Sequence, residues 1–455
     1  MFSSGLYLLI LLLAAVIFII YSTAKVKLHA FLVLIVTAFG VGLLAGLPLS
    51  EVIETVTTGF GNTLNYIGII IAAGSIIGVL LEKGGGALVM AETIVKWIGK
   101  ARSVLAMSIT GSVISIPVFC DSGFIILSPL IRSLAEKANK SLATYAVALS
   151  MGLYTTHVFV PPTPGPIAAA AELGANIGWV MLIGIIVSIP VLVVTWLFAE
   201  YLGSKIYITP EFTETPSTTK QGNGSENFDK PGVWKAFSPI LIPLILIALK
   251  SITELPGQPF GTNMYTEFIL FIGDPNIALL LGVVLAFYTV SAGGEQVYRN
   301  WVQQSLEKAG SIILITGAGG ALGSIMQSTE LGAYLGSSIS SLELNTLSIL
   351  LPFLLAAALK TTLGSSTVAI ITTASIFTPM LADLQFDVGF GPVLVTLAIG
   401  AGAMTVSHAN DSYFWVVCQF TNMSVEEAYK LQTVSSGVAG ITGIITVYTL
   451  SLFLL

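Results

Sequence analysis

Charge is scarce in this sequence: 18 Lys and Arg and 24 Asp and Glu are spread over 455 residues, 9% of the chain, against about 25% in soluble domains. That shortage excludes a soluble catalytic domain and leaves no basic face for a nucleic acid. Cysteine is rarer still, with Cys120 and Cys418 both beside polar interruptions of apolar segments, so no disulfide framework is expected. The three histidines, at 29, 157 and 408, are too scattered for a metal site or a nucleophile with its base, and His-Glu-x-x-His is absent. Gly84-Gly85-Gly86 and Gly317 to Gly320 lack the Lys-Ser/Thr ending of a phosphate loop and read as close helix packing. No cofactor and no metal is expected. Residues 1 to 22 lack a basic start and a small-residue cleavage pattern, so they read as a retained first span. What the chain does have is apolar residues, 55% of it, with a mean hydropathy of +0.91: its solvent is the lipid bilayer.

Runs near the roughly 20 residues that cross hydrocarbon fall at about 5–22, 28–47, 63–81, 142–160, 178–202, 236–252, 276–292, 310–328, 391–417 and 433–455. Between Arg102 and Arg132 the pattern changes. An apolar stretch broken at Pro117 is flanked on both sides by basic residues, which predicts a re-entrant hairpin near 103–131 with its tip at Pro117 to Gly123. Residues 345–382, with Pro352 and Pro379, read as its counterpart, and Ala87 to Lys100 as an interfacial amphipathic segment. The expected fold is therefore an all-α polytopic membrane protein with about ten transmembrane helices and two hairpins. Residues 1–202 form a first repeat, 203–235 a polar cytoplasmic linker and 236–455 a second repeat. Five spans per half invert the second repeat relative to the first. Walking the spans puts every Lys and Arg except Lys250 and Lys360 on one face, and basic loops stay inside, so both termini are expected outside the cytoplasm. A faint internal echo pairs Ala73 to Gly78 with Ala318 to Gly323, and Thr155-Thr156-His157 with Val406-Ser407-His408.

Four clusters interrupt apolar runs. The first is Pro117 to Gly123, where Asp121 is followed by Ser122 and Gly123; the second is His157 to Pro166, where four prolines surround Thr163 and cannot continue a helix. The third is Lys360 with Gly364, Ser365, Ser366 and Thr367; the fourth is Ser407 to Ser412, with His408, Asn410 and Asp411. Broken backbone at membrane depth survives only where it lines a cavity or is buried in protein. An ammonium there costs about 2.5 to 3.5 kcal/mol and marks a functional site, unless Lys360 snorkels to a nearer interface. Helix N-termini at such breaks attract carboxylates, and Lys360 supplies a countercharge. Asp121, Asp411, His157 and His408 are the titratable candidates for proton coupling. Asp411 is preferred, because backbone donors at the hairpin tip would hold Asp121 ionised. A plain helix cap near the outer face accounts for His157 equally well.

These motifs resemble the gluconate permease family along nearly the whole chain. The likeness runs through Gly59-Phe60-Gly61-Asn62-Thr63-Leu64, the Asp121 hairpin, Thr156-His157 with Pro161 to Pro166, Leu363 to Ala369, and Ser407 to Asp411 before Phe414-Trp415. The resemblance implies a bacterial inner-membrane proton symporter for gluconate or a related hydroxycarboxylate, with the fold of the wider ion-transporter group, whose members are usually homodimers with a moving transport domain. This chain departs from family members that take gluconate at three positions. They typically carry a second His where Thr163 stands, commonly Glu at Asp121, and often Arg at Lys360. A carrier for glycerate or D-serine, coupled to protons or sodium, is the alternative; an ion channel or an intramembrane enzyme is the more distant one.

Overall fold

The structure, a computed structural model, describes residues 5–203, 205–210, 230–254, 260–261, 263–290, 295–329 and 345–455. Every regular element among them is helical. Six helices are long and apolar enough to cross a membrane, or seven if Met264–Ile272 and Pro275–Phe287, bent by 65° at their break, form one span. Apolar side chains such as Ile186, Ile189 and Leu197 on Ile177–Gly203 are exposed, the expected state for a face solvated by lipid.

Several boundaries differ from the hydropathy runs. The runs at 63–81 and 310–328 are the apolar parts of much longer helices, Leu49–Lys83 and Glu295–Gln327, because their amphipathic beginnings lower the hydropathy without lowering helix propensity. Gly5–Ile20 and Ala30–Leu44, in contrast, are shorter than a full span. The expected linker falls outside the described residues at 204 and 211–229. Its beginning is not loose: Leu142 N donates to Ile208 O at 2.9 Å and Ser141 Oγ to Ile206 O at 2.9 Å. The following helix starts at Val233.

Both expected hairpins contain two helices separated by a break. Ser103–Ile114 and Cys120–Ala138 flank residues 115–119; Leu350–Leu363 and Ser366–Phe377 flank Gly364 and Ser365. Two further helices are interrupted, Leu142–Phe159 from Pro164–Leu173 at residues 160–163, and Gly391–Met404 from Ser412–Thr421 at residues 405–411. In each half the order is a long helix, a split pair, an interrupted helix and a long final helix, Ile177–Gly203 or Val434–Leu454.

The two long helices pack side by side through bare backbone. A side chain at Gly59 would overlap Ser324, one at Gly320 would overlap Thr63, and one at Gly317 would meet Phe60 Cε2 at 2.7 Å, so the glycines set the approach distance. The sequence echo falls on the same two helices. A side chain at Gly74 would meet Pro162 at 3.4 Å and one at Gly78 would overlap Pro117 O, while one at Gly319 would overlap Ile371 and one at Gly323 would overlap Glu172. Both echoed segments thus press against a break or the helix that follows it.

Candidate functional site

Lys360 is wholly buried and its Nζ lies 2.6 Å from Asp411 Oδ2, with the two side chains 0% and 5% exposed. Helix geometry delivers the lysine: it sits in the last turn of Leu350–Leu363, one turn before the break, where its Nζ also donates to Gly364 O at 3.0 Å. Gly364 has φ +76°, and a side chain there would overlap Asn410 O, so two breaks meet at this point. Asp411 is saturated: Ser407 Oγ donates to Oδ2 at 2.5 Å, and Oδ1 caps Ser412–Thr421 by accepting from Tyr413 N at 3.1 Å. Val406, β-branched yet at φ +58°, turns the chain just before Ser407, whose N donates to Ser436 Oγ at 2.8 Å. Such a conformation is strained and persists only when its surroundings fix it.

The sequence reading gave Lys360 and Asp411 separate tasks, and the structure puts them in one ion pair. It also reverses the surroundings expected for the two aspartates. Asp411 has donors on both oxygens, whereas Asp121 Oδ1 is enclosed with no hydrogen-bond partner among the described residues. His157, 7% exposed, is likewise left with Nδ1 unpartnered, its ring centroid 6.5 Å from that of Phe119. Asp121 and His157 both lie within electrostatic reach of Lys360 and Asp411, so the four clusters gather at one place.

Two tyrosines join them. Tyr154 OH pairs with Ser366 Oγ at 2.7 Å, its ring lies 5.7 Å from Lys360 Nζ, and its centroid is 5.5 Å from that of Tyr413. Tyr413 OH donates to Ser150 O at 3.0 Å. His408 Nε2 and Asn410 Nδ2 both reach Thr361 O, at 3.0 and 2.7 Å, a carbonyl left free as the helix ends. Asn410 is exposed, so the cluster has an accessible edge.

The remaining expected residues divide. Ser365 caps Ser366–Phe377 through Val368 N at 3.3 Å. Ser122 and Thr367 are half-buried in the first turns of their helices. Thr163 turns its hydroxyl to Val160 O at 2.6 Å and leaves Pro164–Leu173 without a side-chain cap. Gly123 serves packing, since a side chain there would meet Leu153 Cδ2 at 2.7 Å. No side chain caps Cys120–Ala138 either. Beside these two uncapped ends, Pro117 to Phe119, Pro162 to Pro164 and Gly74 bound a crevice of about 10 Å³, room for a water at most. Among the described residues no three His, Cys, Asp or Glu side chains gather as a metal set.

Ser407 opens the fourth cluster but carried no role of its own in the sequence, and Tyr154 and Tyr413 carried no signal at all, because a tyrosine within an apolar run does not show which neighbour its hydroxyl finds.

Residues 7–453 match the model of the GntP family permease. An uncharacterized permease of Haemophilus influenzae is 34% identical over 95% of this chain and 91% of its own length. A gluconate permease of Pseudomonas aeruginosa is 32% identical over 98% of both chains. Among solved structures, the YdaH transporter of Alcanivorax borkumensis superposes with a TM-score of 0.64 over 93% of this chain and 98% of its own, at 15% identity; that likeness concerns the fold.

Proposed function

The chain belongs to the GntP family of permeases, and from that premise we propose that it imports gluconate or a related sugar acid by proton symport, alternating access around the Lys360 cluster. It is a multi-pass membrane transporter and not an enzyme. The observation that carries the finer reading is the coexistence of a completed ion pair with unfilled polar atoms in one enclosure. Buried polar groups are normally paired, and each exception needs a reason. Here the reason is a ligand with hydroxyls and a carboxylate. Asp121 Oδ1 accepts from a substrate hydroxyl, and His157 Nδ1 makes a second hydrogen bond. The substrate carboxylate competes with Asp411 for Lys360. Once displaced, Asp411 loses its cation inside a dry site and takes up a proton, so substrate and proton enter together.

The recurring element order supports two inverted repeats, with the split pairs as re-entrant hairpins and the interrupted helices as spans broken at the midplane. With the basic loops inside, the protein sits in a bacterial inner membrane, its termini face away from the cytoplasm, and two copies associate in the manner of the wider transporter group.

The test uses purified protein in vesicles. Labelled gluconate, other sugar acids, glycerate and D-serine are offered first without a gradient, as counterflow, then with an inward proton gradient, then with sodium alone. Sugar-acid counterflow with proton-driven accumulation is expected. Asp411→Asn should keep counterflow and lose accumulation. Sodium-driven uptake overturns the proton assignment, and preference for glycerate or D-serine overturns the substrate assignment.

A further inference from the structure

Far from the ion pair lies a carboxyl group that this scheme does not use. Glu172 stands at the end of Pro164–Leu173, nine residues beyond Thr163, which is about 13 Å along a helix. It faces a cavity of about 230 Å³ bounded by Gly59, Asn62, Thr63, Tyr66, Ser324 and Gln327. On one side its Oε1 presses against Gly323, where any side chain would overlap it. Its backbone carbonyl accepts from Thr378 Oγ1 at 3.3 Å, which ties the end of this half-helix to the turn after Ser366–Phe377. Glu172 therefore occupies a seam, with the half-helix and the second split pair on one side and the two long helices on the other.

Among the described residues no donor and no cation meets its carboxyl group. Among the described residues the charged and titratable groups nearby are few. Leu49–Lys83 presents Tyr66, its own charges lying at its ends; in Glu295–Gln327 the last charged residue is Lys308. Ser366–Phe377 and Gly391–Met404 carry none, His157 lies in the preceding helix on the other side of the break at 160–163, Glu200 is near the far end of Ile177–Gly203, and Asp387 borders the adjoining cavity beside Gln327 and Thr378. An ionised carboxylate here keeps its stability only from water in the cavity, and stripping that water away without a partner is costly. A protonated one can be stripped.

We infer that Glu172 is a second proton-binding site, and that the half-helix slides along the glycine face of Glu295–Gln327 only when Glu172 is protonated. The bare backbone of Gly319, against Ile371, and of Gly323, against Glu172, offers a track without side chains to climb, and a neutral carboxyl crosses it dry. Glu172 acts as a gate on movement and touches no substrate. The inference rests on the carrier reading above but not on its proton coupling, because it concerns exchange at equal pH on both sides.

The experiment measures counterflow of saturating labelled gluconate at equal internal and external pH, from pH 5 to 9, with wild-type protein and Glu172→Gln. Wild-type exchange should slow with rising pH, approaching about tenfold per unit once a single required proton is lost. Glu172→Gln, locked neutral, should exchange at a rate that varies less than about twofold over that range. A wild-type-like fall in Glu172→Gln overturns the inference, as does a flat wild-type profile. Proton-driven accumulation by the wild-type protein tests the symport reading on its own, so the two ideas fail separately. Should Glu172→Gln exchange nothing, or gluconate not be carried, infrared titration of the purified proteins decides: a protonated-carboxyl band titrating in the wild type and missing from Glu172→Gln supports the site, and an unchanged band overturns it.

Discussion

The two halves bring unlike contributions to one enclosure. In the second half the charged groups of the site are all paired: Lys360 holds Asp411 and Gly364 O, Asp411 caps a helix and accepts from Ser407, and Ser365 caps the other helix N-terminus. In the first half both corresponding helix N-termini lack a side-chain cap, and among the described residues Asp121 Oδ1 and His157 Nδ1 have no partners. Filled valences hold a protein together, whereas empty ones are an expense to the fold that a ligand can relieve. On the proposed mechanism the first half serves capture and the second mainly architecture, with Lys360 and Asp411 belonging to both.

Mutation can break this division. The largest expected effect is on the ion pair. Lys360→Ala or Asp411→Asn alone leaves a buried group uncompensated and should lower stability by about 3 to 5 kcal/mol, whereas Lys360→Met with Asp411→Leu should lose much less. Thermal unfolding in detergent reads both, and a double variant as unstable as the sum of the singles would separate the two residues energetically. Next come the unfilled groups. Asp121→Asn and His157→Leu should leave the melting temperature near that of the wild type but weaken substrate binding by about 1 to 3 kcal/mol, roughly 5- to 150-fold. Equilibrium binding measures this, and a melting point that falls with unchanged affinity would return both residues to structural duty. The smallest effect sharpens the comparison. Ser407→Ala removes one hydrogen bond from a still-paired Asp411 and should cost about 1 kcal/mol of stability, with substrate affinity little changed.

Much of this was legible in the sequence where a residue type contradicted its surroundings. Lys360 in an apolar run, the prolines after His157 and the break at Pro117 each marked a true interruption, because a membrane forbids unpaired backbone and isolated charge unless protein encloses them. What stayed hidden was pairing across sequence distance. Lys360 and Asp411 are 51 residues apart, and nothing in either cluster says that the cation of one is already held by the anion of the other. The environments of Asp121 and Asp411 were expected the wrong way round for the same reason: helix N-termini were assigned by position, while the donors came from Ser407, Tyr413 N and Lys360. Glu172 was passed over because it stands near a helix end, where a glutamate usually meets water. Only the absence of side chains at Gly323 and its neighbours reveals the pocket around it.

The closeness of Lys360 to Asp411 also bears on voltage. A net charge carried across a membrane feels about 2.3 kcal/mol for every 100 mV, but a lysine and an aspartate 2.6 Å apart present the field with a dipole whose charges cancel. The pair therefore adds no electrical work to the return of the empty carrier. On the proposed mechanism a substrate carboxylate takes the lysine while a proton takes the aspartate, which preserves that cancellation on the loaded journey, so through these two residues the cell's membrane potential would neither drive nor hinder either direction.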